Sequence, residues 1–590
     1  MQNDKIPIVI GVTGHRNLVS ADIPAIKRYV EKALTEIRNQ CNSDTPIIML
    51  NAFAEGADIL CAEVAFSMNI DVYALLPCPL ERYVKSFDNK EMAQKLPEYL
   101  EKTKRVIIAP DIEKNKDFID KVKPIKDVDY EYRQMGISMA SNSHILLALW
   151  DGKPSDQQFG CGTADVVRFA LEQNYLSSDH LYRPGLINDC AVEWISVRRQ
   201  GDGAECHLRR AWLSSKFAPV NDGELYRDRY VVTQTMPSFI KRIINKTAEY
   251  NAEKVDLTVD RPKLWKDVDE LDSYHKVLRC HYIKADNLSY VANQKIYIRL
   301  LLTIACLGTL VALFFTMYDD ASIKWMIWFC TAAIILLIGI TKYGQKRKVH
   351  EKYVDYRALA EAIRIQFYMS IVLQNRPYPD VVCNFYSWSQ KSNYSWISKA
   401  IKSIAIINER CYMNIDRTQV VNVWIGNSSE PSGQLNYHAS KIHKNRNRAE
   451  LNNKVSSIIR LFTICIYILI FIFEVVSTIL DWYNIQWFWD GFIVGEFSWR
   501  NLGVILVGTA TAASLLFSGY FDKLSYDRKA DDNEHMISFY SSACERWKEV
   551  SALNDEVVLE KFIYEVAREE IIENGIWCSY VMDNELEIEI

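Results

Sequence analysis

Four long apolar blocks in the second half of the chain restrict its architecture more than any other feature. Leu300–Met317 (LLLTIACLGTLVALFFTM) has eighteen residues and no charge, and Trp325–Thr341, Leu461–Leu480 and Leu502–Phe521 follow it. Each approaches the ~20 residues that an α-helix needs to cross ~30 Å of hydrocarbon. A water-soluble core rarely supplies four such blocks without polar interruption, so the chain is expected to span a membrane four times, as two helical hairpins. The overall composition, 49% hydrophobic and 24% charged, hides them because the remainder of the 590 residues reads as soluble.

Flanking charge predicts the orientation. Lys295 and Arg299 precede the first block, and Lys342, Lys346, Arg347 and Lys348 follow the second. Lys441, Lys444, Arg446, Arg448, Lys454 and Arg460 precede the third, and Lys523, Arg528 and Lys529 follow the fourth. The turns inside the hairpins are poor in Lys and Arg, so both termini and the central segment are expected on the cytosolic side. Trp482, Trp487, Trp489 and Trp499 fit either an aromatic belt at the far interface or tight packing in a small loop. Gly508, Ala512 and Gly519 put small residues on one helix face, where neighbouring helices can approach closely. Glu474 is the carboxylate well inside a span; it reads as pore-lining or as a neutral, hydrogen-bonded group near the interface.

Residues 1 to about 175 alternate short apolar runs with helical patterns. The opening IPIVIGVTG reads as a strand, not a signal peptide, and Ser20 is expected to cap the helix that follows. Further strands are predicted at PIIMLNAF, DVYALLPCP, RVIIAPD and HILLALWDG. Continuous apolar strands separated by helices indicate a parallel sheet covered on both faces, whose ligands bind beyond the carboxyl ends of the strands. Those ends carry Thr13, Gly14, His15 and Arg16; Glu55, Gly56 and Asp58; and Asp151 and Gly152. FGCGTADVV then brings Gly160, Gly162, Thr163 and Asp165 into a loop entering a helix, where converging amides and the helix N-terminus favour an anion such as phosphate. The plainer reading of each stays open: Thr13 and Gly14 end a strand, His15 and Arg16 are solvated, Glu55 and Asp58 cap a helix. Segments 189–213 alternate well enough for edge strands, 214–294 read as a charged helical linker, and 525–577 as a helical pair.

The string WDG…GCGTADVV, with GVTGHRN and AEGADILCAEVA upstream, resembles the SLOG superfamily of Rossmann-like domains, relatives of the LOG-type (lysine-decarboxylase-like) nucleotide phosphoribohydrolases. The resemblance matches Gly160, Gly162 and Thr163 to the phosphate-binding loop and Arg133 to the hydrolase arginine. The hydrolase glutamate is replaced by Val166, which implies binding without catalysis, so no catalytic residue is assigned. YRALAEAIRIQFY and EEIIENGIW resemble the SLOG-associated two-transmembrane (SLATT-like) effector domains of bacterial antiphage systems.

The expected organisation is an α/β Rossmann-like parallel-sheet sensor at 1–215 and a helical linker at 216–289. An all-α membrane region follows, with one hairpin at 290–372, a connecting segment at 373–439 and the second hairpin at 440–590. The resemblance implies an effector in the bacterial inner membrane. Its partners would be the lipid bilayer, further copies in a homo-oligomer, and a nucleotide signal, ADP-ribose-derived or cyclic, made by a partner enzyme. A membrane-anchored nucleotide N-glycosidase using Arg133, Glu55 and the glycine loop is the alternative, and a scaffold or transporter subunit the third. The net charge of -5 argues against a general nucleic-acid binder, and fourteen scattered cysteines without a CxxC pair predict neither a structural metal nor a disulfide framework.

Overall fold

The computed structural model describes residues 5–110, 127–154, 162–172, 190–200, 208–216, 224–227, 229–255, 264–319, 323–374, 388–427, 433–495 and 497–583. The chain divides into two compact units. One comprises Met1–Lys284, Ala358–Ile415 and Ile563–Ile576; the other comprises Ala285–Arg357, Asp416–Phe562 and Trp577–Ile590.

Among the described residues, the first unit is built on a nine-stranded sheet. Its strands are β1 (Ile8–Gly14), β2 (Ile47–Asn51), β3 (Asp71–Leu76), β4 (Arg105–Ile108), β5 (Ile145–Trp150), β6 (Ala191–Ser196), β7 (Arg210–Ser215), β8 (Glu224–Tyr226) and β9 (Tyr230–Thr233). The order is β4-β3-β2-β1-β5-β6-β7-β9-β8. The six strands from β4 to β6 are parallel, as the unbroken apolar runs require, and the last three are antiparallel. Helices on both faces leave every residue of β5 and β6 buried, whereas Val106 and Ile108 on the edge strand β4 are exposed. Strand order reverses between β1 and β5, and the crevice at such a reversal is where open α/β sheets hold ligands.

Two expectations need correction here. Ser20 does not cap the first helix. Ser20–Asp22 forms a 3₁₀ turn, the helix starts at Ile23, and Asp22 instead takes two hydrogen bonds from Arg198. Segment 214–294 is not a purely helical linker either, because β8 and β9 complete the sheet before the helices Ser238–Ala252 and Ser273–Asn287. The helix Trp388–Ile407 belongs to this unit too: buried Lys399 donates to the Ser143 carbonyl (2.6 Å) and Lys402 to that of Ser141 (3.2 Å), at the end of helix Asp127–Asn142.

The second unit is helical. Among the described residues of the chain, four helices are long and apolar enough to cross a membrane, running through Ser273–Asp319, Met326–Val372, Gly433–Trp482 and Trp499–Leu553. Fifty residues make a helix of about 75 Å, well beyond one hydrocarbon core, so each must project into water. At most 17% of the most apolar stretch of each is buried, and side chains such as Phe462 and Leu515 are 61% and 71% exposed. Contiguous apolar surface of this extent fits lipid, not water. Lys295–Asp319 packs against Met326–Arg347 and against Trp499–Leu524, which in turn packs against Gly433–Trp482. The returning helix of each hairpin is interrupted by one non-glycine residue in the left-handed region: Lys348 (φ 51°) before Val349–Val372 and Ser525 (φ 48°) before Tyr526–Leu553. The small residues differ in use. A Cβ at Gly508 would lie 2.9 Å from Thr316 of the first span, whereas Gly519 faces open space and Ala512 is half-buried.

Candidate functional site

The turns predicted to bind a ligand meet on one sheet edge and hold one another. Parallel pairing places Thr13 beside Ala148 and Gly14 beside Leu149, so the ends of β1 and β5 coincide. The His15 amide donates to the Leu149 carbonyl (3.1 Å), and the Ala57 amide to the His15 carbonyl (3.1 Å). His15 Nε2 lies 3.1 Å from Asp151 Oδ1 and 3.2 Å from the Asp151 amide nitrogen. Burial opposes ionisation of Asp151, but hydrogen bonds from His15 and the Lys153 amide outweigh it and hold the carboxyl below its ordinary value.

Glycine is required where these turns interlock. Gly56 has φ +84°, and a Cβ there would meet the Arg16 carbonyl oxygen at 2.1 Å; one at Gly14 would meet the Ala57 Cβ at 2.3 Å. Arg16 lies over the Tyr132 ring with its guanidinium carbon 5.9 Å from the centroid. Glu55 accepts from the Asn89 amide (2.8 Å), and so supports the start of helix Lys90–Glu101. Asp58 is buried in the first turn of helix Ala57–Ser67. Its Oδ2 accepts from the Ala54 amide (3.3 Å), while Oδ1 makes no hydrogen bond. Burial pushes this carboxyl up to about 7, although the Ala54 bond and the Arg16 charge pull the other way.

The glycine loop enters helix Thr163–Glu172. Gly160 lies outside the described residues. The Gly162 amide donates to Asp165 Oδ2 (3.1 Å), and Arg168 bonds Asp165 Oδ1 (3.0 Å), so Asp165 closes the first helical turn on itself. Arg133 is buried between helices, its guanidinium carbon 4.8 Å from the Phe169 ring centroid. Val166 is buried, and a Cβ on Gly136 would lie 2.9 Å from it, so this position packs closely against helix Asp127–Asn142.

A concave pocket at the same edge lies between Gly152, the first turns of helix Thr163–Glu172 and the β8–β9 hairpin; Arg168, Tyr226, Arg227 and Arg229 line it. Tyr226 donates to the Gly152 carbonyl (3.2 Å), and Gly152 has φ +77° with no space for a side chain against that hydroxyl. The sequence reading missed this hairpin by assigning it to the linker. The alternation in ELYRDRYVVT after Asp222-Gly223 was the available signal.

In the second unit, Glu474 receives two hydrogen bonds from Arg500 (2.8 Å each) and one from Trp489 Nε1 (3.0 Å). Arg500 also pairs with Asp490 (3.1 Å), which Ser477 bonds in turn. Trp489 is buried in this cluster, whereas Trp482 is fully outward.

Residues 287–381 match the model of a family described as "Protein of unknown function (DUF4231)", the family in which SLATT-like domains fall. The match spans the first hairpin and the helix that follows it. No curated protein matches the chain.

Proposed function

We propose that this protein is a ligand-gated membrane effector. Its sheet unit binds a small anionic signal of nucleotide type, ADP-ribose-derived or cyclic, and its helical hairpins then breach the bacterial inner membrane as part of antiphage defence. The observation that carries the reading is the union in one chain of two features: a strand-order reversal bordered by glycine turns and a helix N-terminus, and four long helices whose apolar surface is left to lipid. The SLOG resemblance of the first third and the family match of the first hairpin point the same way.

Gating needs no bond chemistry, only unequal affinity for closed and open states. A swing from 1:99 to 99:1 takes ~5.5 kcal/mol of differential binding, more readily gathered over the subunits of a homo-oligomer. The buried Val166 disfavours the N-glycosidase alternative. In the topology that accompanies this reading, both termini are cytosolic, and a partner enzyme supplies the signal. The test is dye release from proteoliposomes holding the full chain, challenged with ADP-ribose derivatives and cyclic nucleotides while ligand turnover is followed. Release with intact ligand is expected. Turnover, or binding without release by any ligand, overturns the reading.

A further inference from the structure

We propose that the pocket at the β8–β9 hairpin reads the phosphate chain of its ligand, taking molecules with two or more linked phosphates in preference to a monophosphate. This inference rests on the reading that the sheet edge is a ligand site, and it adds the chemical class of that ligand.

Two guanidinium groups lie against one aromatic pair, and a third lines the same pocket as Tyr226. Trp194 and Tyr226 have ring centroids 5.2 Å apart. Arg209 lies over both, its guanidinium carbon 4.5 Å from the Trp194 centroid and 5.8 Å from that of Tyr226; Arg227 lies 5.3 Å from the Tyr226 centroid. Arg229 lines the pocket beside them. The pair is fixed from below, because Trp194 Nε1 donates to the Trp150 carbonyl (2.8 Å) and the Tyr226 hydroxyl to that of Gly152. A guanidinium held near an aromatic ring keeps N–H groups that can donate to an anion.

None of Arg209, Arg227 and Arg229 forms an ion pair with any carboxylate among the described residues. An anion bound among these like charges offsets their mutual repulsion. Arg227 also occupies a left-handed backbone position (φ 52°), one that favours glycine or asparagine in a hairpin turn, so an arginine is held there at a conformational cost. The N-terminus of helix Thr163–Glu172 adds positive potential from the opposite wall, where Arg168 is already engaged by Asp165. Trp150 and Trp194 are nearly fully buried and offer no open face for a base. Recognition here is thus of charge and of several phosphate oxygens, which bidentate guanidinium groups suit.

The experiment uses the full chain in nanodiscs, with adenosine, AMP, ADP, ATP and inorganic pyrophosphate as probes and affinity read by calorimetry at two salt concentrations. Each added phosphate is expected to tighten binding about tenfold, pyrophosphate to compete with ADP, and high salt to weaken ATP more than AMP. The R227A/R229A double variant, changed only at exposed residues, should keep the wild-type melting midpoint and lose the gain from further phosphates, so that AMP, ADP and ATP bind it alike. R227K/R229K should recover part of it, since charge is kept and the bidentate fork lost. Equal affinity for AMP, ADP and ATP, failure of all probes to bind, or an R227A/R229A variant that retains the phosphate gradient overturns the proposal. A clear gradient without dye release in any assay leaves this site standing and removes the effector reading instead.

Discussion

Replacing Asp58 with asparagine should make the protein more stable at alkaline pH and leave it unchanged in mild acid. The side chain is buried, one carboxylate oxygen has no hydrogen bond, and its folded-state pKa is raised from 3.8 to about 7. Below about pH 4 both folded and unfolded chains hold the proton and the shift costs nothing. Between pH 4 and 7 only the folded chain holds it, so folding stability falls as pH rises, and above pH 7 the cost is complete. A difference of about 3 units corresponds to ~4 kcal/mol as an upper figure. The asparagine keeps the acceptor for the Ala54 amide but brings an N–H without an acceptor, worth ~1–3 kcal/mol. The net gain for D58N at pH 8 is therefore about 2 kcal/mol, or roughly 2–4 °C in melting midpoint for a unit of this size. Intrinsic-fluorescence melts of both proteins in detergent, from pH 5 to pH 8, measure the difference with all other titrations cancelling. Two midpoint curves that run parallel over this range would falsify the account of Asp58 as a carboxyl forced to ionise inside the fold.

Other perturbations follow from the same geometry. Gly152→Ala should destabilise the sheet unit by ~1–3 kcal/mol and weaken pyrophosphate binding, because its Cβ would lie 2.5 Å from the Tyr226 hydroxyl at φ +77°; an unchanged melt and Kd would contradict this. Gly508→Leu should leave nucleotide affinity intact and abolish dye release, since the first and fourth spans meet at Thr316; release at the wild-type rate would show that this contact is not used. Arg500→Ala, which strips Glu474 and Asp490 of their shared cation, should lower the midpoint in nanodiscs, with R500K recovering part of the loss; a midpoint equal to wild type refutes a structural role for this ion-pair cluster. Single cysteines replacing Lys324 and Tyr483, in a background without other exposed cysteines, should react with impermeant reagents from outside the cell, and protection of either overturns the proposed topology.

Periodicity and run length made much of the fold legible. The strands carrying VIGVTG and ILLALW are so uniformly apolar that burial on both faces was their sole satisfactory environment, and they lie side by side in the sheet. The spans were legible because eighteen uncharged residues in a row admit few alternatives. The β8–β9 hairpin was not, since strands of three and four residues among charges lack a period long enough to read. Ser20 failed as a cap because a contact 176 residues away fixes Asp22 instead, and local capping preference cannot anticipate Arg198. At the candidate site, the gathering of Thr13, Glu55 and Asp151 on one edge was legible from strand ends. The partners of their side chains were not: that Glu55 serves Asn89 and Glu474 serves Arg500 depends on tertiary placement alone.

The left-handed residues Lys348 and Ser525 give each returning helix a mechanical joint. Helix-type hydrogen bonds continue on both sides of the junction, from the Ser525 amide to the Phe521 carbonyl (3.4 Å) and from the Lys529 amide to the Ser525 carbonyl (3.1 Å), so the change of direction rests on a single pair of dihedral angles. Beyond Ser525 the rod Tyr526–Leu553 extends for 28 residues, about 42 Å, so a turn of about 10° at the joint sweeps its far end by about 7 Å. The joint is latched by the Ser525 hydroxyl, 2.7 Å from that of Tyr580 on the following helix. A β-branched residue at 525, unable to adopt φ near +50° without strain, would redirect the whole rod from this one position.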